Sequence, residues 1–165
     1  MYTSDVDSAI SSADVVIICV NTPATRKTPF TEQLGQQTDL TAFNAVVNTI
    51  ARVSPAYKIV VNKSTVPINT LHSLEHKLPG KDLVSCPEFL AEGSAIRDLT
   101  HPQRVVIGTC SEPCFQVLKH LSPKNCPIVW CQDSSSAELG KLMANAMLAQ
   151  RVSSINSITE LCETT

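Results

Sequence analysis

The sequence predicts an α/β protein, a doubly wound parallel sheet followed by one long helix. Three observations carry that expectation. Short β-branched runs such as Val15-Val16-Ile17-Ile18-Cys19-Val20 and Ile59-Val60-Val61 are apolar on both faces, as strands covered from both sides are. Helical periodicity fills the intervals between them, and strands alternating with helices at this spacing build a parallel sheet. From Asp133 onward the strand pattern stops and a single helical pattern runs nearly to the end.

Taken in order, the first strand covers Val15 to Val20 and ends in the polar turn Asn21-Thr22-Pro23. A hydrophilic stretch from Thr25 to Thr38 follows, then a helix with apolar positions Leu40, Phe43, Val46, Val47, Ile50 and Val53. Ile59 to Val61 is the second strand, ending in Lys63-Ser64-Thr65. Pro67 is placed to open a helix whose apolar positions are Ile68, Leu71, Leu74 and Leu78. Leu83-Val84-Ser85, Val105-Val106-Ile107 and Ile128-Val129-Trp130 read as further strands, with a helix carrying Phe115, Val117, Leu118 and Leu121 before the last. Ser135-Ser136-Ala137-Glu138 has the spacing of a capping box for the long helix. Gly140 inside that helix costs about 1 kcal/mol relative to Ala, which points to close packing there. The helix is apolar over a wider face than a surface helix requires, as a central spine or a dimer contact would be.

A chain of 165 residues with 43% hydrophobic content supports a real core, divided here into an α/β unit over 1–132 and a helix over 133–165. The net charge of −2, without a basic run, argues against nucleic acid or an anionic membrane surface as partner. The N-terminus lacks the charged start and apolar stretch of a secretory signal, and the run from Val15 to Val20 is too short to span a bilayer. A cytoplasmic protein is expected. Seven cysteines without a tight framework read as reduced thiols, and His72, His76, His101 and His120 show no metal-ligand clustering.

Function is concentrated where polar clusters follow strands. Asn21-Thr22, Ser64-Thr65 and the stretch Glu88 to Glu92 each come directly after a strand's carboxyl end. In an open parallel sheet ligands bind outside that edge. Each cluster alone is also ordinary turn chemistry; three together point to a site. In Cys86-Pro87-Glu88-Phe89-Leu90-Ala91-Glu92-Gly93, Pro87 suits the first position of a helix with Cys86 as its N-cap. Glu88 and Glu92 would then share one helical face, either as a functional pair or as acids favoured by the helix dipole. Lys141 and Asn145 likewise share a face of the long helix, which solvated helix polarity would also produce.

The stretch from Pro87 to Ile96, continued by Asp98-Leu99 and Pro102-Gln103-Arg104-Val105, resembles the corresponding segment of the UDP-glucose/GDP-mannose dehydrogenase family. Cys86 stands where that family usually has Asn. Val20-Asn21-Thr22-Pro23 and Lys63-Ser64-Thr65-Val66-Pro67 are similar to two further family motifs, with Asn62 in place of a frequent Glu. Ala137-Glu138-Leu139, Lys141-Leu142, Ala144-Asn145-Ala146 and Leu148-Ala149-Gln150-Arg151 resemble its spine helix. This resemblance implies the second half of a Rossmann-like NAD-binding domain followed by that helix. It implies NAD contacts at Val20, Asn21, Thr22, Pro23, Ser64, Thr65, Val66 and Glu92. Glu88, Phe89, Leu90, Ala91, Glu92, Lys141 and Asn145 are the implied substrate contacts.

By the same resemblance Glu88 is the acid/base residue, Lys141 and Asn145 act on the reacting oxygen, and Thr65 assists. The wording Ala149-Gln150-Arg151 and Ser153-Ser154-Ile155-Asn156 favours UDP-glucose, oxidised to UDP-glucuronate with NAD, and a homo-oligomer formed through the helix. The five glycines form no phosphate-binding loop, and no Cys has the Gly-Gly-Ser-Cys context that holds the family's nucleophile. The chain is therefore expected to be a partial copy without turnover of its own. The alternative is a non-catalytic product that serves only as a self-association or interaction module.

Overall fold

The computed structural model describes residues 2–24, 37–54 and 57–164. Most of the hydrophilic stretch expected between Thr25 and Thr38 lies outside them. The described chain forms β1 (Val15–Ile18), β2 (Ile59–Asn62), β3 (Asp82–Ser85), β4 (Val105–Gly108) and β5 (Ile128–Cys131). Around them lie α1 (Val6–Ser12), α2 (Thr41–Val53), α3 (Thr70–Leu74), α4 (Ala95–Thr100), α5 (Glu112–Leu121) and α6 (Ser134–Thr164). The α/β class, the order of strands and helices and the terminal helix are as expected; α1 has no counterpart in the sequence reading.

The sheet has five strands in the order β1-β2-β3-β4-β5. Ile18, Asn62 and Ser85 are register partners, so β1, β2 and β3 run parallel with their carboxyl ends side by side. The expectation of a parallel sheet throughout fails at β4. Ser85 pairs with Gly108 in antiparallel sense, and β5 then follows β4 in parallel. The physical reason is the connection: between Ser85 and Val105 lie an extended loop and only the six-residue α4. A parallel return needs a crossover that packs on the sheet face, and α4 buries no residue.

Strand alternation separates two cores. Ile18 and Val60 face α1, α2 and α3, where they join Ile10, Phe43, Val47, Ile50, Leu71, Leu74 and Leu78. Ile59, Val61, Val84, Cys86 and Ile107 face the opposite side and pack on Cys114, Phe115 and Leu118 of α5. There Phe115 stacks on Trp130, with ring centroids 4.3 Å apart. Lys58 is buried beside these cores, its ammonium donating to the carbonyls of Ser11 and Ala13 at the end of α1, the end a cation favours.

Several local expectations are corrected. The first strand stops at Ile18 rather than Val20, because Val20 turns both backbone groups to Ser64 Oγ instead of a neighbouring strand. The helix expected at Pro67 begins at Thr70. No helix starts at Pro87: residues 86–91 have no regular structure, 92–94 form a turn, and helix begins only at Ala95. Cys86 is therefore not an N-cap, and Glu88 and Glu92 do not share a helical face. The cause is sheet pairing, since Cys86 N–H donates to Asn62 O and prolongs the β2–β3 ladder through that point.

The long helix is capped differently from the expected box. Asp133 accepts Ser136 N–H at 2.6 Å, while Glu138 turns away to another helix. Gly140 is not a close-packing site, for a Cβ there would meet nothing within 4 Å. The close approach is at Gly108, where a Cβ would lie 2.6 Å from Ala137 Cβ and 2.7 Å from Asp133 O.

Candidate active site

The three parallel strand ends deliver three loops to one edge of the sheet, and hydrogen bonds tie the first two together. Ser64 Oγ donates to Val20 O at 2.8 Å and accepts Val20 N–H at 2.9 Å. Thr22 Oγ1 donates to Thr65 O at 2.7 Å. Buried Asn62 shapes the second loop from beneath, its amide giving to Ser64 O and its carbonyl accepting Ser64 N–H. Of the residues expected at a cofactor, Val20, Asn21, Thr22, Pro23, Ser64, Thr65 and Val66 thus fall in one cluster. Their side chains differ in what remains available. Those of Ser64 and Thr22 are engaged within the protein, and Val66 is buried in the core against α3. Among the described residues the Asn21 amide and the Thr65 hydroxyl have no partner and sit at the surface of this cluster.

The third loop, 86–92, opens into a groove of about 1280 Å³ between the sheet edge and α6. Glu88, Phe89, Leu90, Ala91 and Glu92 line one wall, Lys141 and Asn145 the other. The arrangement has a cause in each element. Glu88 is held by its own loop, with Oε2 accepting Leu90 N–H at 2.5 Å. Asp98 steadies the far side of that loop by accepting Ala91 N–H and Ser94 Oγ–H, and those bonds, Ser94's first, hold its carboxyl below the usual range. α6 starts against β4 at Gly108 and crosses β3, so its third turn brings Lys141 over the loop.

Lys141 Nζ donates to Glu88 Oε1 at 3.1 Å, with the lysine side chain 8% exposed and that of Glu88 31%. The ammonium also lies 5.3 Å from the centroid of the Phe89 ring. The Glu88 carboxylate is thereby positioned on both oxygens, while a third of it still faces the groove. A carboxylate so held accepts a proton from a neighbouring hydroxyl, and a buried ammonium beside it stabilises negative charge growing on that oxygen.

Some residues of the site had no role in the sequence reading. Lys63, one residue past β2, gives its ammonium to Cys86 O at 3.2 Å and joins the two clusters. Arg104 lies over the Phe89 ring, 4.6 Å from its centroid. Lys63 was legible as a polar residue at a strand end; Arg104 was not, for a parallel β4 would have put it at the opposite edge. The sequence spacing makes Glu138 a capping-box acid. It is buried and accepts Leu71 N–H at 3.0 Å, capping α3 from outside. Cys86 sits beside Lys63, with burial pushing its thiol up against the opposing ammonium.

Comparison with known proteins follows the same division. Residues 1–124 match the model of the UDP-glucose/GDP-mannose dehydrogenase family, NAD binding domain, and residues 135–165 that of its central domain. The chain is 40% identical over 178 residues to UDP-glucose 6-dehydrogenase 1 of Arabidopsis thaliana, covering 99% of this chain and 36% of the relative. It is 43% identical over 179 residues to UDP-glucose 6-dehydrogenase of Gallus gallus, covering 99% of this chain and 35% of the relative. The chain thus spans about a third of the length of the curated relatives it matches. Among solved structures, a UDP-glucose dehydrogenase from the archaeon Pyrobaculum islandicum superposes with a TM-score of 0.79 at 28% identity, over 94% of this chain and 37% of that one. A ternary complex of a Pseudomonas aeruginosa GDP-mannose dehydrogenase gives 0.79 at 26% identity, over 93% and 36%.

Proposed function

The chain belongs to the UDP-glucose/GDP-mannose dehydrogenase family, with the family's NAD binding domain over residues 1–124, and from that premise we propose that its groove is a partial copy of a site for the NAD-dependent oxidation of UDP-glucose to UDP-glucuronate, without turnover of its own. The observation that carries the reading is the Lys141–Glu88 pair, half-open to a groove beside three polar strand ends. The cofactor suits what the residues offer. The Asn21 amide and Thr65 hydroxyl are unpartnered at the sheet edge, and Glu92, also without a partner among the described residues, lines the adjoining groove. These residues, with the backbone of Val20, Thr22, Pro23, Ser64 and Val66, would hold NAD, which accepts a hydride from the substrate carbon when bound.

The chain's own groups account for the proton and the charge. In the alcohol-to-aldehyde half of that oxidation Glu88 would take the proton of the C6 hydroxyl, and Lys141 would stabilise the oxygen as charge develops there. The aldehyde-to-carboxylate half consumes a second NAD and a water. Asn145, one turn beyond Lys141 on α6, supplies a second donor to that oxygen, and Thr65 assists from the cofactor side. Phe89, Leu90 and Ala91 shape the wall that orients the sugar. We place the division between the α/β unit and the helical unit at residues 132 and 133.

The proposal includes self-association. α6 is about 46 Å long, and beyond Lys141 no residue with a described side chain is buried. Leu148, Val152, Ile155 and Ile158 are each more than half exposed along it, which supports a second copy as its partner. Seven thiols, none in a disulfide, suit a cytoplasmic setting. Among the described residues no helix is long and apolar enough to cross a membrane.

Calorimetric titration of the chain with NAD and with UDP-glucose tests the reading. Both are expected to bind, and Asn145→Ala to weaken UDP-glucose but not NAD. A chain that self-associates yet binds neither would favour the second reading, a non-catalytic interaction module, to which the exposed α6 stripe also points.

A further inference from the structure

Among the described residues Arg104, like Lys63 and Arg151, is a groove cation without a carboxylate; Lys141 is paired with Glu88. Among the described residues the Arg104 guanidinium makes no hydrogen bond and no ion pair; it lies over the Phe89 ring. That placement follows from the antiparallel strand. The antiparallel Ser85–Gly108 pair turns the amino end of β4 toward the loop that follows β3, and Arg104, immediately before β4, lies over Phe89 of that loop. A cation–π contact consumes none of a guanidinium's N–H donors, and their planar fork matches two oxygens of a phosphate.

The surrounding charge favours an anion. Lys63, Arg104, Lys141 and Arg151 line the groove against the carboxylates of Glu88, Glu92 and Asp98. Glu88 is neutralised by Lys141, and Asp98 is occupied by Ser94 and Ala91. Lys141 and Arg104 both lie over the Phe89 ring, at 5.3 Å and 4.6 Å from its centroid, so the two charges are within about 10 Å of each other, a span that a nucleotide sugar covers. Resting on the reading above, we propose that Arg104 binds the diphosphate of the nucleotide sugar and so positions its hexose carbon at Glu88 and Lys141. It is a binding and positioning residue, remote from the bonds that change.

The experiment is calorimetric titration of the chain, wild type and Arg104→Gln, with UDP-glucose, UDP, uridine and NAD at several salt concentrations. Arg104→Gln is expected to weaken UDP-glucose and UDP alike by on the order of tenfold or more, as loss of a charged, forked contact does. Uridine and NAD should bind both proteins equally, and the salt dependence for UDP should flatten in the variant. Arg104→Lys should recover part of the loss by charge alone. Urea unfolding guards against a folding artefact, since an exposed guanidinium should leave the midpoint nearly unchanged. UDP-glucose binding that Arg104→Gln leaves intact overturns this assignment and spares the functional reading. Equal loss for uridine and UDP overturns it too, by showing damage to the wall rather than to phosphate contact. A wild-type chain that binds neither UDP-glucose nor UDP overturns both.

Discussion

Lys141 and Glu88 lie 53 residues apart in sequence and meet with Nζ 3.1 Å from Oε1. The lysine is the buried partner and the glutamate the half-open one. Removing the carboxylate strands a buried ammonium, whereas removing the ammonium leaves a carboxylate that water reaches. Glu88→Gln is therefore expected to lower stability by about 1–3 kcal/mol, and Lys141→Met by clearly less. Urea midpoints of the two variants compare them directly; equal losses would mean that the pair is not asymmetrically buried.

Glu138 supplies the pH dependence. Burial pushes its carboxyl up, against the opposing N–H groups of Leu71, Asn69 and Thr70, and its Oε2 has no partner. A raised native value means the native state holds the proton more tightly than the unfolded one. The stability this contributes is complete below the unfolded value and is lost as pH rises through the native value. As pH rises from the ordinary carboxylate range through the raised native value, the wild type should lose stability relative to Glu138→Gln, which has no such proton to release. Parallel midpoint curves for the two proteins over that range would contradict the shift.

The two glycines flanking the start of α6 should behave oppositely. Gly108→Ala drives a methyl into Ala137 and the Asp133 carbonyl and should cost about 1–3 kcal/mol by overpacking. Gly140→Ala meets nothing within 4 Å on an exposed helical face and should gain about 0.5–1 kcal/mol from helix propensity. Thermal unfolding of both variants against wild type reads the two signs.

Thiol reactivity should follow burial. Cys110 is exposed and should be alkylated under native conditions before Cys19, Cys86 and Cys114. Cys19 is exposed as a residue, yet partial burial pushes its thiol up against the neighbouring Lys63, so it should lag. Cys86 and Cys114 are buried; the Cys114 thiol, which donates to Asp82 at 2.8 Å, is pushed up by burial and by that carboxylate. Neither should react until the chain unfolds. Peptide mass mapping after timed iodoacetamide treatment checks the order, and early labelling of Cys86 would show that the groove floor opens.

Two surfaces invite self-association. Ile17 is 51% exposed on β1, which no described strand pairs from outside, and such an edge is a template for pairing. Ile155 is 63% exposed on the α6 stripe. Ile155→Glu should shift the sizing-column profile toward monomer, and Ile17→Lys should reduce light scattering at equal concentration. A wild-type chain that runs as a monomer would remove both surfaces from consideration.

The sequence by itself determined what repeats locally. Runs such as Ile59-Val60-Val61 are too apolar and too short for anything but buried strands, and the spacing of Phe43, Val47 and Ile50 leaves helix as the economical burial. Polar loops after strand ends were legible too, because side-chain types that turn a chain also end a strand. What it did not determine was whatever depends on partners distant in sequence. Pro87 obeys the local rule for a helix start, but a ladder bond from Cys86 to Asn62 overrides it. Glu138 fits a capping box, yet its carboxylate caps a helix 67 residues away. The antiparallel β4 goes with a connection whose helix, α4, buries nothing on the sheet, and that direction brings Arg104 to Phe89. Local propensities are worth tenths of a kcal/mol to about 1 kcal/mol per residue, and burying a strand or satisfying a buried backbone group outweighs them.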